Sequence, residues 1–255
     1  MIVLKSQREI DKMKRAGEIV MLAHKKLEEM ISPGITTKDL DRAAEEIIRS
    51  KGAIPSFKGF PCAYDGIDFP GVICASVNNE VIHGIPGGRV LLEGDIISID
   101  IGAILDGFHG DAARTFPVGQ ISQEAEDLIK VTEESFNRGM AQSVEGNRIR
   151  DISGAVQEYV ESKGFSVVRD FVGHGIGTEM HEEPQIPNYL SREKGVRLAN
   201  GMTIAIEPMV NMGTWKVRVL ENKWTIVTVD GKLSAHHENT IAVTPKGPEI
   251  LTALY

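Results

Sequence analysis

The chain has 255 residues, 42% of them hydrophobic and 25% charged, with a formal net charge of −8 at pH 7. That length suits one large domain or two smaller ones with most of the apolar surface buried, and the ordinary composition excludes disordered, collagenous and membrane-embedded classes. The acidic balance leaves no electrostatic footprint for nucleic acid or an anionic membrane, so neither is expected as a main partner.

The opening MIVLKSQREIDKMK lacks the apolar core of an export signal, and no apolar run is long enough to span a bilayer. A cytoplasmic protein is expected, with Cys62 and Cys74 as reduced thiols. Ser6 and Glu9 form a capping box ahead of a helical stripe of Ile10, Met13, Gly17, Val20, His24 and Leu27, which stops at Ser32-Pro33-Gly34. Thr36 and Asp39 open a second helix through Leu40, Ala43, Ile47 and Ile48, ending at Ser50-Lys51-Gly52. Residues 53–70 carry prolines, glycines and aromatics without periodicity and read as a long loop. Val72 to Val77 predicts a strand, Asn78-Asn79 a turn, and Val81-Ile82-His83 a short strand that leads into a glycine-rich turn.

Residues 93–118, EGDIISIDIGAILDGFHGDAARTFPV, predict two strands about a tight turn at Asp106-Gly107. That turn sets Asp100 opposite Ala113 and Asp111 opposite Gly102. Side chains alternate, so Asp100 and Asp111 emerge on one face as diagonal neighbours, their Cα atoms about 7–8 Å apart. The flanking Ile97, Ile99 and Ile101 mark a strand buried on both sides. Two carboxylates in such surroundings need a cation to offset their desolvation.

Ser122 caps a third helix through Leu128, Phe136 and Met140, and a fourth runs from about Ile149 to Ser162-Lys163-Gly164. Helix, helix, Ser-Lys-Gly, then strands is the order already met in residues 6–118. Setting EGDIISID (93–100) beside NGMTIAIE (200–207) places Glu207 at the position of Asp100. An α+β fold follows: one domain, 1–255, of two half-domains, about 6–118 and 121–244, related by an approximate twofold axis. His174 and His181 lie among glycines in FVGHGIGTEMHEEPQIPN, at a spacing that fits neither a dinucleotide fingerprint nor the two-histidine helix of zinc proteases. A second hairpin is expected from Trp224 to Val229 and Leu233 to Val243 about Asp230-Gly231, with Glu238 on its far arm after His236 and His237. Four carboxylates with one or more histidines suit a pair of divalent cations, and two such ions activate water for hydrolysis.

The segments CASVNNEVIHGIPGG, GDIISIDIGAILDGFHGDAARTF, VGHGIGTEMHEEPQIPNY, GMTIAIEP and SAHHENTIAVT resemble, in order and over most of residues 72–244, those of the bacterial type I methionine aminopeptidases, pita-bread enzymes of peptidase family M24. The resemblance implies removal of the initiator methionine from nascent polypeptide N-termini by two divalent ions, with cobalt, manganese, iron, zinc and nickel all compatible. It implies Asp100, Asp111, His174, Glu207 and Glu238 as metal ligands, with Asp111 and Glu238 bridging. His83 would meet the substrate or its leaving nitrogen, His181 the tetrahedral intermediate, and Glu207 would also carry a proton. Cys74, Trp224 and an aromatic of the 57–69 loop, Tyr64 or Phe69, would form the side-chain pocket. The ribosome is a candidate contact, and a monomer is expected. Departures from the family pattern are a longer stretch between Phe57 and Cys74, Met180 before His181, and His236-His237 in place of a glutamine-aromatic pair. The rival readings are an X-Pro aminopeptidase or prolidase of the same fold, a catalytically dead pita-bread scaffold, and an iron oxygenase, which expects fewer acids.

Overall fold

The computed structural model describes residues 2–62 and 66–254. Helix α1 (Gln7–Met30) starts where the Ser6 N–H donates to the Glu9 carboxylate at 2.7 Å, and it buries Ile10, Met13, Gly17, Val20, His24 and Leu27 on one face. Helix α2 (Thr37–Ser50) starts where the Asp39 N–H donates to the Thr36 hydroxyl at 3.2 Å. There follow β1 (Ile54–Pro55), β2 (Ile73–Val77), β3 (Glu80–Ile82), β4 (Ile96–Leu105) and β5 (Phe108–Pro117). Val20 and Leu27 of α1 and Leu40 and Ile48 of α2 share one buried cluster with Ile97, Ile99 and Ile101 of β4, on which α1 packs. Each such side chain removed from water contributes about 1.5–3 kcal/mol.

The opening order then recurs. Helices α3 (Gln123–Ala141) and α4 (Ile149–Ser162) precede β6 (Ser166–Val167), β7 (Gly173–Gly175), β8 (Glu182–Ile186), β9 (Thr203–Ile206) and β10 (Met209–Asn211). The chain continues through β11 (Val217–Val219), β12 (Ile226–Thr228), β13 (Ser234–His236), β14 (Asn239–Thr244) and β15 (Gly247–Ile250). Helix α3 packs on β9, β10 and β13, with Phe136, Ile152, Ile204, Ile206 and Ile241 in one buried cluster. The fold is α+β with antiparallel sheets. No helix among the described residues is long and apolar enough to cross a membrane.

The β4–β5 hairpin has the register its turn dictates, with Leu105 opposite Phe108, Asp100 opposite Ala113 and Gly102 opposite Asp111. Asp106 and Gly107 adopt φ of 51° and 80°, the left-handed pair that a two-residue turn of this hand requires. Two expectations are corrected. Residues 53–70 are not loop throughout: β2 covers β4 only from Ile97 to Ile101, and Ile54–Pro55 takes up the remaining edge opposite Ile104 and Ala103.

Nor does a hairpin form about Asp230-Gly231. Strand β12 pairs with β11 and β3, whereas β13 pairs with β10. The Asp230 carboxylate accepts from the N–H groups of Thr214 at 2.8 Å and Lys232 at 3.1 Å, which pins the turn and sends its arms to different sheets. Trp224 accordingly precedes β12 in a loop. The far arm breaks at His237-Glu238, where the Glu238 N–H donates to the Ala113 carbonyl at 2.9 Å and the Ala113 N–H donates back to Glu238 at 3.3 Å. This seam joins β5 to the second half of the chain.

Candidate metal centre

Asp100 and Asp111 project from adjacent strands into one cavity. The Asp111 backbone is held on its far side by Thr240, whose hydroxyl donates to the Asp111 carbonyl at 2.9 Å and accepts from its N–H at 3.1 Å. Glu238 enters two residues before Thr240 through the seam at Ala113. The half-buried Arg114 guanidinium donates to the carbonyls of Ala113 and Glu238 and, at 2.6 Å, to Asn239 Oδ1. Glu207 follows the last residue of β9, and its carbonyl accepts from the Asn188 amide at 3.0 Å.

His174 sits at the centre of β7 between two glycines, because a Cβ at Gly173 or Gly175 would lie 2.3 Å from the Ala205 or Glu183 carbonyl oxygen. Its Nδ1–H donates to the Gly175 carbonyl at 2.9 Å, a tautomer that presents the Nε2 lone pair to the cavity. One donor atom each of Asp111, His174 and Glu238 lies within 4.8 Å of the others. Glu207 Oε1 is 3.5 Å from His174 Nε2. This contact is not an ion pair, since burial drives the imidazole down to about 3 and the Glu207 carboxyl up to about 8.

All four acids are pushed the same way. Burial, with the neighbouring carboxylates, raises Asp100 to about 7 and lifts Asp111 and Glu238 well above the usual carboxylate range. Asp111 and Glu238 are almost fully buried, and Asp100 and Glu207 are exposed only to the cavity they line. Asp100 Oδ1, Asp111 Oδ1 and Glu238 Oε1 are enclosed without a hydrogen-bond partner. Enclosed carboxylate oxygens that meet neither a donor nor a positive side chain are costly. An oxygen-rich set with one imidazole fits borderline first-row divalent ions, so the residues present suit the pair of cations the sequence implies.

The same cavity, about 120 Å³, is lined by Phe57, Phe60, Phe69, Cys74, His83, His181 and Trp224 as well as the acids. His83 follows β3 in left-handed backbone, φ 58°, beyond the strand in which the sequence had placed it. Its ring meets the Trp224 and Phe171 edges at 6.2 and 6.1 Å, and burial lowers it to about 4, so it stays neutral. His181 stands at the exposed rim, edge-on to His174 at 4.4 Å and to Phe60 at 5.5 Å. Trp224 packs edge-on against Phe69 at 5.1 Å, and its indole N–H donates to the Ile67 carbonyl at 2.9 Å. Burial and the three nearby carboxylates push the Cys74 thiol well up, which leaves a neutral, soft wall and no nucleophile. Tyr64 lies outside the described residues.

Sequence reasoning missed Phe57, Phe60 and His236. The last is 2% exposed, with Nε2 3.6 Å from Glu207 Oε2. Its only signal was the departure at His236-His237 from the family pattern.

The model of metallopeptidase family M24 matches residues 11–245. The chain is 56% identical to a methionine aminopeptidase of Clostridium perfringens over 254 residues, covering 100% of both chains. It superposes on the crystal structure of methionine aminopeptidase from Thermotoga maritima with a TM-score of 0.94, at 46% identity and 99% coverage of each chain. A Xaa-Pro dipeptidase from Bacillus anthracis shares the pita-bread fold at a TM-score of 0.74 and 24% identity, and this chain covers only 61% of it. The buried carboxylate cluster, the helix pairs flanking it and full-length likeness at such identity converge: the chain belongs to metallopeptidase family M24, among its methionine aminopeptidases.

Proposed function

We propose that this protein removes the N-terminal methionine from nascent proteins and peptides by metal-assisted hydrolysis. The observation that carries the reading is the convergence of Asp100, Asp111, His174, Glu207 and Glu238 at the end of a small aromatic-walled cavity. These five residues would hold two divalent ions, with Asp111 and Glu238, the most enclosed acids, between them. When bound, the ions supply Lewis acidity that makes a water nucleophilic at neutral pH and polarises the scissile carbonyl.

The chain's own groups do the rest. Glu207, which lines the same cavity, would accept a proton from the water and return it to the departing amine. Neutral His83 reaches the cavity from the Trp224 side, where it would hydrogen-bond the substrate backbone or its leaving nitrogen. His181 at the rim would stabilise the oxyanion as it develops. Cys74, Phe69 and Trp224 leave a narrow, polarisable slot that an unbranched thioether would fill and a branched side chain would not. Residues 1–255 act as one catalytic domain, its halves, about 6–118 and 121–244, meeting at this cavity. The partners are nascent N-termini in the cytoplasm, presented at the ribosome to a monomer.

The test is a metal-depleted preparation reconstituted with cobalt, manganese, iron, zinc or nickel and assayed on Met-Ala-Ser and Ala-Pro-Ala. Met-Ala-Ser is expected to be cut only after metal is restored. Preference for Ala-Pro-Ala would overturn the reading in favour of an X-Pro peptidase.

A further inference from the structure

We propose that His236 is a positioning residue for Glu207, a role that rests on the dinuclear peptidase reading above. The Glu207 carboxylate lies between two imidazoles, Oε1 3.5 Å from His174 Nε2 and Oε2 3.6 Å from His236 Nε2. The two rings are not equivalent. His174 turns its Nε2 toward the Asp111 and Glu238 oxygens as well. His236 Nε2 is enclosed with no hydrogen-bond partner; Glu207 Oε2 lies 3.6 Å from it, and the Asp100 carboxylate also acts on the ring from the same cavity.

A separation of 3.6 Å is longer than a made hydrogen bond. Contacts between catalytic groups are commonly long before substrate arrives and close as water is expelled. What fixes this one is the backbone behind it. The His236 N–H donates to the Thr115 hydroxyl at 2.9 Å, and the same hydroxyl donates to the His236 carbonyl at 2.9 Å. Thr115 is braced in turn by Ser98 at 2.8 Å. On its other side His236 pairs with Met209 of β10, two residues after Glu207, so the carrier and its neighbour belong to one registered unit. An Nε2–H donating to Oε2 sets the plane of the carboxylate and leaves Oε1 on the His174 side. Proton transfer depends on that plane, because a misdirected lone pair misses the water and the departing amine.

The experiment uses three variants of the full chain, each analysed for ions bound per chain and for kcat and KM on Met-Ala-Ser. His236→Ala is expected to keep both ions and a KM within about 3-fold, while kcat falls about 10- to 100-fold, the range for outer partners of a metal site. His236→Asn, whose amide sits where Nδ1 was, is expected to show the same loss and serves if the alanine variant does not fold. His236→Gln, whose amide reaches the Nε2 position, is expected to recover most of the rate. An unchanged kcat in His236→Ala, equal losses in the Asn and Gln variants, or an ion lost per chain would overturn the proposal, the last by making His236 a ligand. If metal-loaded wild-type chain fails to cut Met-Ala-Ser, the function reading falls instead.

Discussion

Asp100 and Asp111 stand mid-strand on a hairpin of two ten-residue strands whose turn places both, whereas Glu207 stands just beyond a strand end and Glu238 in a break between two strands. The aspartate pair depends on local geometry, for once Asp106 and Gly107 adopt positive φ every opposing residue is determined. The glutamate pair depends on contacts across the chain: the Ala113–Glu238 exchange, the Thr240 hydroxyl on Asp111 and the Asn188 amide on Glu207. Chemically the pairs are alike, since burial raises all four acids, joined at Asp100, Asp111 and Glu238 by repulsion from neighbouring carboxylates. One site is thus assembled by two mechanisms that fail in different ways.

The sharpest way to break the equivalence is to neutralise one member of each pair. Asp111→Asn and Glu238→Gln are both expected to drop Met-Ala-Ser cleavage to background with circular dichroism unchanged, because each removes a charge that two cations require. Full activity in either variant would remove that pair from the chemistry.

Metal-free chain tests the shared electrostatics. Asp100 at about 7 and Glu207 at about 8 lie above their ordinary 3.8 and 4.5, so the folded chain binds more protons than the unfolded one. Stability is then fully present below about pH 4 and is lost as pH rises through about 7–8. Below about pH 6.5 the buried histidines, held low, act in the opposite sense, so calorimetry in chelator is expected to show Tm falling from pH 7 to pH 8, and divalent ions to abolish the fall. A flat profile in chelator would mean that the acids are not held together as described.

The smallest effect probes the seam alone. Thr240→Val strips the buried Asp111 N–H and C=O of their shared partner and is expected to cost about 1–3 kcal/mol, seen as a lower denaturation midpoint. Gly107→Val, by contrast, loads the turn with a β-branched residue at φ 80° and strains the aspartate hairpin. If loss of metal binding tracks the seam variant and not the turn variant, the glutamate pair is the weaker half of the site.

Features that depend on near neighbours were legible from residues alone. The capping boxes at Ser6 and Thr36, the Ser122 cap and the Asp106-Gly107 turn each satisfy backbone groups within a few positions, so spacing is sufficient. Asp230-Gly231 misled by the same logic. The dipeptide permits a tight turn, but what its arms pair with was decided by Thr214, some sixteen positions away in sequence. Phe57 and Phe60 escaped notice because aromatic loop residues carry no periodicity until a cavity gathers them, and His236 because its partner is Glu207 on another strand.

By itself the sequence determined the four helices and the aspartate hairpin with its register, since these follow from short-range hydrogen bonding and period, while its resemblance to a known family implied the five candidate ligands. Tertiary structure alone decided that Glu238 meets Asp111, that β13 and β14 part company between them, and that His236 faces Glu207. Those outcomes rest on pairings between residues as far apart as Ala113 and Glu238, whose backbone groups find each other only after both sheets have formed.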